Sequence, residues 1–311
     1  MIKRDSSLLI IAFSYNRAIQ LDCLLSSTLA LFKHNNYKLK IIYHTSEEHG
    51  RGYQKLIKKY APYEEIDFIE RKDQYSFIRQ GLPLLLKNRN WWRFIKYSFL
   101  REKLDNFKKL TEGIIKDSNC EFTMFLTDDG YFYKDVIVPE HVYEKIRENP
   151  MQVSYRMYVG KNLIDCPELL EEDGLLKWNY YDPDIKNHWA YPFAVDVTIY
   201  HSKSLLKIIK PVFYHMPTTL ESFVVTHCRT RKLLSIGYSP QESNYLGLFI
   251  NRVSNIGTNF SGNIDTEMLN QRYVEGYTLE YEFPKPPFQQ ALIPDKIILK
   301  QPEKKDIVIK P

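Results

Sequence analysis

The stretch from Glu121 to Asp135 constrains this chain more than any other part of its sequence. An apolar run, Phe122 to Leu126, leads into two adjacent acids, Asp128 and Asp129. A continuous apolar run is typical of a strand buried on both faces of a sheet. Two neighbouring carboxylates repel each other, and Mg²⁺ or Mn²⁺ is one way to hold them together. The alternative is a solvated turn, because Asp-Gly is a common turn pair.

Apolar runs alternate with helical segments through the N-terminal part of the chain. The predicted strands are Leu8–Phe13, Leu39–Tyr43 and Ile66–Glu70. This alternation predicts an α/β fold with a central, mostly parallel sheet flanked by helices. Ligands of such sheets bind at the carboxyl ends of the strands. The loops at residues 14–17 and 45–47 should therefore converge on Asp128 and Asp129.

Residues 74–118 are predicted to be mostly helical, with a break or kink at Pro83. Within them, KNRNWWRFIKYSFLREK mixes basic and aromatic residues. This segment could lie on an anionic membrane surface as a peripheral contact. Alternatively, it is a helix that packs on the sheet and exposes a basic face.

The second half of the chain alternates less regularly. The sequence predicts a helix over Pro139–Asn149, strands over Met151–Gly160 and Ala194–Tyr200, and irregular binding loops over residues 161–192. Asp196 is an acid in the apolar setting of the second of these strands, which suggests a functional carboxylate or a structural hydrogen bond. Glu221 follows a capping-box pattern and could be only a helix cap.

Three segments follow from these patterns. Residues 1–150 form one half of a domain, and residues 151–283 form the smaller, second half of the same domain. Residues 284–311 are rich in Pro and Lys and are expected to be an extended tail without its own core. Such a tail could wrap the domain, bind a partner or be partly disordered.

Composition and motifs exclude several classes. The net charge of +5, from 43 basic and 38 acidic residues among 311, is too mild for a nucleic-acid-binding protein. The chain contains no dinucleotide fingerprint, no Walker A sequence, no HExxH and no GxSxG. The four cysteines are expected to be free thiols in a reducing compartment, and no apolar run is long enough for a membrane span. We therefore expect a cytoplasmic protein.

Several of these segments together resemble GT-A-fold glycosyltransferases, particularly the family 2 enzymes of bacterial polysaccharide synthesis. The loop Ser14 to Arg17 resembles the family's P-T-Y-N-R opening, and the loop Thr45 to Glu47 resembles its acid-containing loop after the second strand. Thr127 to Asp129 resembles the metal-binding DxD motif, with Thr127 in place of the first acid. The resemblance covers residues 7–280. It implies that residues 1–150 are a nucleotide-sugar-binding half and that residues 151–283 are an acceptor-binding half of the same domain.

The acceptor half resembles the family less closely. YPFAVDVTIY is similar to a segment in which an Asp serves as the base, here Asp196, although Val197 stands where the family commonly has Gly. The segments Thr219 to Glu221 and Ile250 to Val253 also resemble later motifs of the subgroup.

The resemblance implies a role for each matched position. Asp129 and Asp128 would hold Mn²⁺ or Mg²⁺, Asp196 or Glu221 would be the catalytic base, and His188 and Trp189 would contact the acceptor. Arg17, Arg71 and Arg79 are candidate phosphate partners or ordinary surface bases. The predicted nucleotide-sugar-binding residues are Ser14, Tyr15, Asn16, Arg17, Thr45, Glu47, Arg79 and Asp128.

The function implied is transfer of a sugar from a nucleoside-diphosphate donor to a hydroxyl of a glycan or lipid-linked glycan. Because a single displacement inverts the anomeric carbon, we expect an inverting enzyme. One alternative is a sugar-1-phosphate nucleotidyltransferase, although its usual glycine-rich first loop is missing here. Another is a binding protein that keeps the fold without the chemistry.

Overall fold

The structure is a computed structural model that describes residues 7–34, 36–72, 106–253, 261–289 and 291–311. The predictions for Arg79, for Pro83 and for the basic and aromatic segment lie outside the described residues. All four cysteines are free thiols, as the sequence predicted.

A nine-stranded sheet forms the centre of the described part of the chain. Its strands, in chain order, are β1 (Leu8–Tyr15), β2 (Tyr37–His44), β3 (Ile66–Glu70), β4 (Phe122–Thr127), β6 (Val153–Arg156), β7 (Leu170–Glu172), β8 (Leu175–Asn179), β9 (Thr198–His201) and β10 (Ile236–Ser239). The spatial order is β3-β2-β1-β4-β9-β6-β10-β8-β7. Strands β8 and β9 run opposite to the others. The prediction of a mostly parallel sheet is therefore confirmed.

Helices flank this sheet. They are α1 (Ala18–Leu31), α2 (Gly50–Tyr60), α3 (Phe107–Asp117), α4 (Glu140–Glu148), α5 (Ser202–Ile209), α6 (Pro217–Arg231) and α7 (Thr266–Val274). Among the described helices, none combines the length and the apolar character that crossing a bilayer requires.

Strand β1 shows how the sheet separates two cores. Successive side chains of a strand point to opposite faces. Accordingly, Leu8, Ile10 and Ala12 belong to one buried cluster, together with α1 and α2. The residues between them, Leu9 and Ile11, belong to the other cluster, together with α3, α5 and α6. Burial on both faces explains why β1 is apolar at every position from Leu8 to Phe13.

Two small sheets complete the fold. One contains β5 (Gly130–Phe132), β11 (Tyr245–Leu248) and β13 (Ala291–Leu292), and the other contains β12 (Thr278–Glu282), β14 (Lys296–Lys300) and β15 (Ile307–Ile309). Ile297 and Leu299 of β14 are fully buried in the same core as α1. Of the alternatives for residues 284–311, the structure therefore supports a segment that wraps the domain.

A hairpin corrects the prediction of an irregular region over residues 161–192. Strands β7 and β8 pair antiparallel across the turn Asp173-Gly174. Both turn residues have positive φ, 53° and 77°. Asp-Gly is a favoured pair for a two-residue hairpin turn of this kind. The sequence therefore contained a hairpin signal that the aromatic residues around it obscured.

The predicted strand over Ala194–Tyr200 is also corrected. Strand β9 begins only at Thr198, so Asp196 lies in a bend before the strand. Because β9 is antiparallel to β4, with Met124 opposite Ile199, the beginning of β9 lies at the carboxyl end of β4. The same end of β4 carries Asp128. The topology therefore brings the segment that contains Asp196 to the edge where the ligands of parallel sheets bind.

Candidate functional site

Asp128 organises the carboxyl end of β1. Its Oδ2 accepts hydrogen bonds from Ser14 Oγ at 2.8 Å and from the Tyr15 backbone N–H at 3.0 Å. Its Oδ1 accepts from Arg17 Nη1 at 3.0 Å. Burial raises the pKa of Asp128, and the positive charge of Arg17 opposes that shift. All of these partners are donors, which is the environment of an ionised carboxylate.

Arg17 ties three segments of the chain together. Its Nη1 donates to Asp128 and also to Asp129 Oδ2 at 2.9 Å. Its Nη2 donates to the carbonyl oxygen of Asn251 at 2.7 Å. The side chain is 8% exposed, and its Nε has no partner among the described residues. Arg17, predicted as a nucleotide contact, thus neutralises the acid pair in this structure.

The occupied oxygens limit how a metal could bind. Both oxygens of Asp128 already accept hydrogen bonds, three in total, so Asp128 is a poorer candidate for a direct ligand than Asp129. Asp129 keeps Oδ1 without a partner among the described residues, and its side chain is 19% exposed. No group of three or more His, Cys, Asp or Glu side chains within those residues could hold a metal. Mg²⁺ often binds through one or two carboxylates plus substrate phosphates, so Asp129 fits an ion that binds together with a diphosphate.

The first two predicted nucleotide loops meet. Asn16 has φ of 55°, a conformation that Asn tolerates well, and its Oδ1 accepts from the Ser46 backbone N–H at 2.9 Å. Tyr15 is 37% exposed and stacks on His44, with ring centroids 5.6 Å apart. The Tyr15 and His44 rings therefore present an aromatic surface beside the acid pair.

Other residues of these loops have supporting or peripheral positions. The hydroxyl of Ser14 lies 2.6 Å from the buried Tyr53 hydroxyl. Thr45 donates to the carbonyl oxygen of Ser46, and Glu47 is exposed. The structure therefore places the predicted nucleotide residues that it describes, all except Arg79, along one edge of the sheet, while their roles stay predictions.

Asp196 lies next to the acid pair. Its Oδ1 accepts a hydrogen bond of 2.5 Å from Thr127 Oγ1. Burial raises the pKa of Asp196 to about 7, and the negative charges of Glu221 and Asp129 add to this shift, while Arg156 and the Thr127 hydroxyl oppose it. Thr127 stands where the resembling family has its first DxD acid. Here it contacts the predicted base instead.

The loop that carries Asp196 is strained and tightly held. Val197 has φ of 36°, which is a true outlier for a β-branched residue. Its N–H donates to the Phe125 carbonyl at 2.8 Å, and its carbonyl accepts from the Met157 N–H at 3.0 Å. Strands on both sides thus fix the backbone next to Asp196. The position where the family commonly has Gly does require a conformation that favours Gly.

Glu221 supports this loop and does not cap a helix. The capping box of α6 is formed by Met216 and Thr219, so the capping interpretation of Glu221 was wrong. Instead, Glu221 Oε1 accepts from the Val195 backbone N–H at 3.2 Å. Burial raises the pKa of Glu221. The contact positions the residue directly before Asp196.

Arg156 is a fully buried cation behind these two acids. It donates to the carbonyl oxygens of His188 at 2.9 Å and Tyr191 at 2.6 Å. Its guanidinium lies 5.2 Å from the ring centroids of Tyr158 and Tyr180. The charge of Arg156 lowers the pKa of both Asp196 and Glu221. Arg156 thereby connects Asp196 and Glu221 with the segment that contains the predicted acceptor residue His188.

The predicted acceptor residues are less accessible than expected. Trp189 is 1% exposed and packs edge-on against Trp178 at 5.2 Å, so it is a core residue here and not a surface for stacking. Burial lowers the pKa of His188 to about 4, which keeps it neutral near pH 7 beside Asp165. Tyr191 is 39% exposed and lies under the Arg229 guanidinium. It is the better candidate for an acceptor contact.

Sequence reasoning missed several residues of this site. Tyr53, Thr127 and Arg156 act through partners far away in the sequence, and no local pattern predicts such pairings. The sequence did contain one usable signal: Val197 stands where the resembling family has Gly, which marks a special backbone conformation.

The chain shares sequence similarity with a known glycosyltransferase. No protein-family model matches the chain. It is 23% identical over 226 residues to the bifunctional glycosyltransferase pgtA of Dictyostelium discoideum, a match that covers 67% of this chain and 26% of pgtA. The chain therefore spans only a minor part of that relative.

Two solved structures share part of the arrangement of this chain at low sequence identity. S. aureus TarS is 11% identical, with a TM-score of 0.46, over 86% of this chain and 39% of TarS. The bifunctional glycosyltransferase WbbM is 11% identical, with a TM-score of 0.36, over 72% of this chain and 38% of WbbM. These scores are too low to support a detailed argument. The chain resembles glycosyltransferases, as its motifs predicted.

Proposed function

We propose that this chain is a glycosyltransferase that moves a sugar from a nucleoside-diphosphate donor to a hydroxyl of a glycan or lipid-linked glycan acceptor. The observation that carries the proposal is Asp196, a carboxyl whose pKa is raised to about 7 and which is fixed beside Asp129 through Thr127. A buried carboxyl of this kind at the carboxyl edge of an α/β sheet is a good candidate for a general base. The similarity to pgtA over 67% of the chain supports the same activity.

Asp196 is the proposed base. A general base works best when its pKa lies near the working pH, because it must be ionised and still basic enough to take a proton. In this mechanism Asp196 accepts the proton of the acceptor hydroxyl as that oxygen attacks the anomeric carbon. Thr127 and the loop anchored by Glu221 hold the carboxylate in place. One displacement inverts the configuration of the sugar.

The donor side is proposed to bind the nucleoside diphosphate. The aromatic surface formed by Tyr15 and His44 suits a nucleobase, and Arg17 lies where phosphate oxygens could approach. Asp129 would hold a Mg²⁺ or Mn²⁺ ion, which when bound helps to neutralise the diphosphate leaving group.

A donor screen followed by a product assay tests the proposal. The purified chain is first screened by thermal shift with nucleotide sugars, with and without Mn²⁺, because a ligand that binds the native state raises its apparent stability. Stabilising donors are then incubated with glycan and lipid-linked acceptors. We expect free nucleoside diphosphate and a product with inverted anomeric configuration by NMR.

Other outcomes of this assay point to other functions. Formation of a nucleotide sugar from a nucleoside triphosphate and a sugar 1-phosphate would identify a nucleotidyltransferase. Donor binding without turnover, for every acceptor class tested, would instead favour a binding protein. A retained anomeric configuration would contradict the single displacement.

A further inference from the structure

The carboxylate pair next to β4 already has a cation. Arg17 Nη1 lies 3.0 Å from Asp128 Oδ1 and 2.9 Å from Asp129 Oδ2, and the Arg17 side chain is 8% exposed. We propose that Arg17 is the resident counter-ion of Asp128 and Asp129, and that it makes divalent-cation binding at Asp129 conditional on a bound nucleoside diphosphate. The second half of this inference rests on the proposed function.

Charge and occupancy support the first half. Two adjacent carboxylates repel each other and together attract a divalent ion. A guanidinium in contact with both of them reduces the repulsion and weakens that attraction. An ion bound at Asp129 would stand close to the positive charge of Arg17, in a poorly solvated place where like charges repel strongly. Both oxygens of Asp128 accept hydrogen bonds, three in total, so Asp128 competes poorly as a second carboxylate ligand. Metal alone should therefore bind weakly.

A diphosphate changes this balance. It brings negative charge that can compensate Arg17 and a metal ion together, and its oxygens can supply the metal ligands that the protein lacks. Arg17 also has a buried Nε without a partner among the described residues. Guanidinium groups bind phosphate oxygens well, but this buried N–H would reach a phosphate oxygen only after the Arg17 side chain moves.

The competing explanation is purely architectural. The bond of 2.7 Å from Arg17 Nη2 to the carbonyl oxygen of Asn251 joins the first loop to a distant part of the chain. If that were the whole role of Arg17, its replacement would change stability and leave intrinsic metal affinity unaltered. Metal affinity is therefore the measurement that separates the two roles.

The test measures binding of Mn²⁺ alone by electron paramagnetic resonance, in which the signal of free Mn²⁺ falls as the ion binds. For the wild-type chain we expect no saturable uptake in the absence of nucleotide, and about one equivalent when UDP, ADP or GDP is added. For Arg17→Gln we expect Mn²⁺ alone to bind at least about tenfold more tightly, because an opposing charge a few ångströms away has been removed.

Two controls keep the test decisive. Arg51→Gln removes the same charge at an exposed position of α2 and should behave like the wild type. If Arg17→Gln does not fold, the double variant Arg17→Gln with Asp128→Asn removes both partners of the buried pair. That double variant should bind Mn²⁺ alone more tightly than the single variant Asp128→Asn.

Equal Mn²⁺ affinity of the wild type and Arg17→Gln, without nucleotide, would overturn the counter-ion role. Tight binding of Mn²⁺ alone to the wild type would overturn the conditional role. If none of the nucleoside diphosphates binds, the proposed function and the conditional half fail together. The comparison of Mn²⁺ alone between the two proteins would still decide whether Arg17 is the counter-ion.

Discussion

Two pairs of carboxyl groups lie at the same edge of the sheet, and they are compensated in opposite ways. Asp128 and Asp129 share a guanidinium that contacts both of them. Within the part of the chain that the structure describes, the side chains of Asp196 and Glu221 accept only from a hydroxyl and a backbone amide, respectively. Their nearby cation, Arg156, donates to carbonyl oxygens instead.

The two pairs are therefore suited to different proposed roles: Asp128 and Asp129 to ligand binding, and Asp196 and Glu221 to proton transfer. A carboxylate that contacts a guanidinium and several N–H or O–H donors is held ionised, which suits a fixed charge for ligand binding. A carboxyl without a contacting cation can have a pKa within the physiological range, which suits a base. Thr127 directly precedes Asp128, and its hydrogen bond to Asp196 connects the two pairs.

The largest expected effect comes from Asp196→Asn. Asn keeps the size of the side chain but cannot take a proton. We expect the transfer rate to fall by about 10²- to 10⁴-fold, the usual contribution of a general base, with donor affinity nearly unchanged. Initial rates with the true acceptor, together with calorimetry for the donor, measure both quantities. Near-normal turnover would remove Asp196 from the mechanism and make Glu221 the leading candidate.

The second effect concerns Asp128 and Asp129. Arg17→Gln leaves the buried Asp128 and the partly exposed Asp129 without their cation, and breaking a buried ion pair from one side costs about 3–5 kcal/mol of unfolding free energy. Urea denaturation followed by circular dichroism gives this difference. The double variant Arg17→Gln with Asp128→Asn should recover part of the loss. A loss below about 1 kcal/mol in the single variant would mean that the pair contributes little to stability.

The third effect is a pH dependence of stability. The folded state raises the pKa of Asp196 from 3.8 to about 7, so its protonated form is favoured in the folded chain. Its stabilising contribution is complete below pH 3.8 and is lost as the pH rises towards 7, with a slope of at most about 1.4 kcal/mol per pH unit.

Asp196→Asn removes this term. The difference in unfolding free energy between the variant and the wild type should therefore shift in favour of the variant between pH 4 and pH 7, and level off above it. Denaturation at a series of pH values measures the difference. A constant difference over that range would contradict the raised pKa.

The smallest effect should come from Glu221→Gln. Gln can still accept the hydrogen bond from Val195, but it lacks the negative charge that raises the pKa of Asp196. The acid limb of the pH–rate profile should therefore move to lower pH with the maximal rate largely kept. A collapse of the maximal rate would instead show that Glu221 takes the proton.

How far the sequence predicts this molecule differs between its two halves. Local patterns suffice for β1 and β4, because strands buried on both faces are almost entirely apolar and end in recognisable polar loops. The position of Asp196 depends on the antiparallel pairing of β9 with β4, a contact between distant segments that no periodicity reveals. For the same reason, the acid pair was predicted from its sequence, while its partner Arg17 was predicted only as a ligand contact.

The buried strand β14 has a practical consequence for protein production. Composition alone invites removal of the Pro- and Lys-rich residues after 283. However, β14 pairs with β12 along its length and buries Ile297 and Leu299 completely. A truncated chain would expose the edge of β12 and the apolar surface that β14 covers, and unpaired edges promote association. Expression of such a shortened chain should therefore yield aggregates.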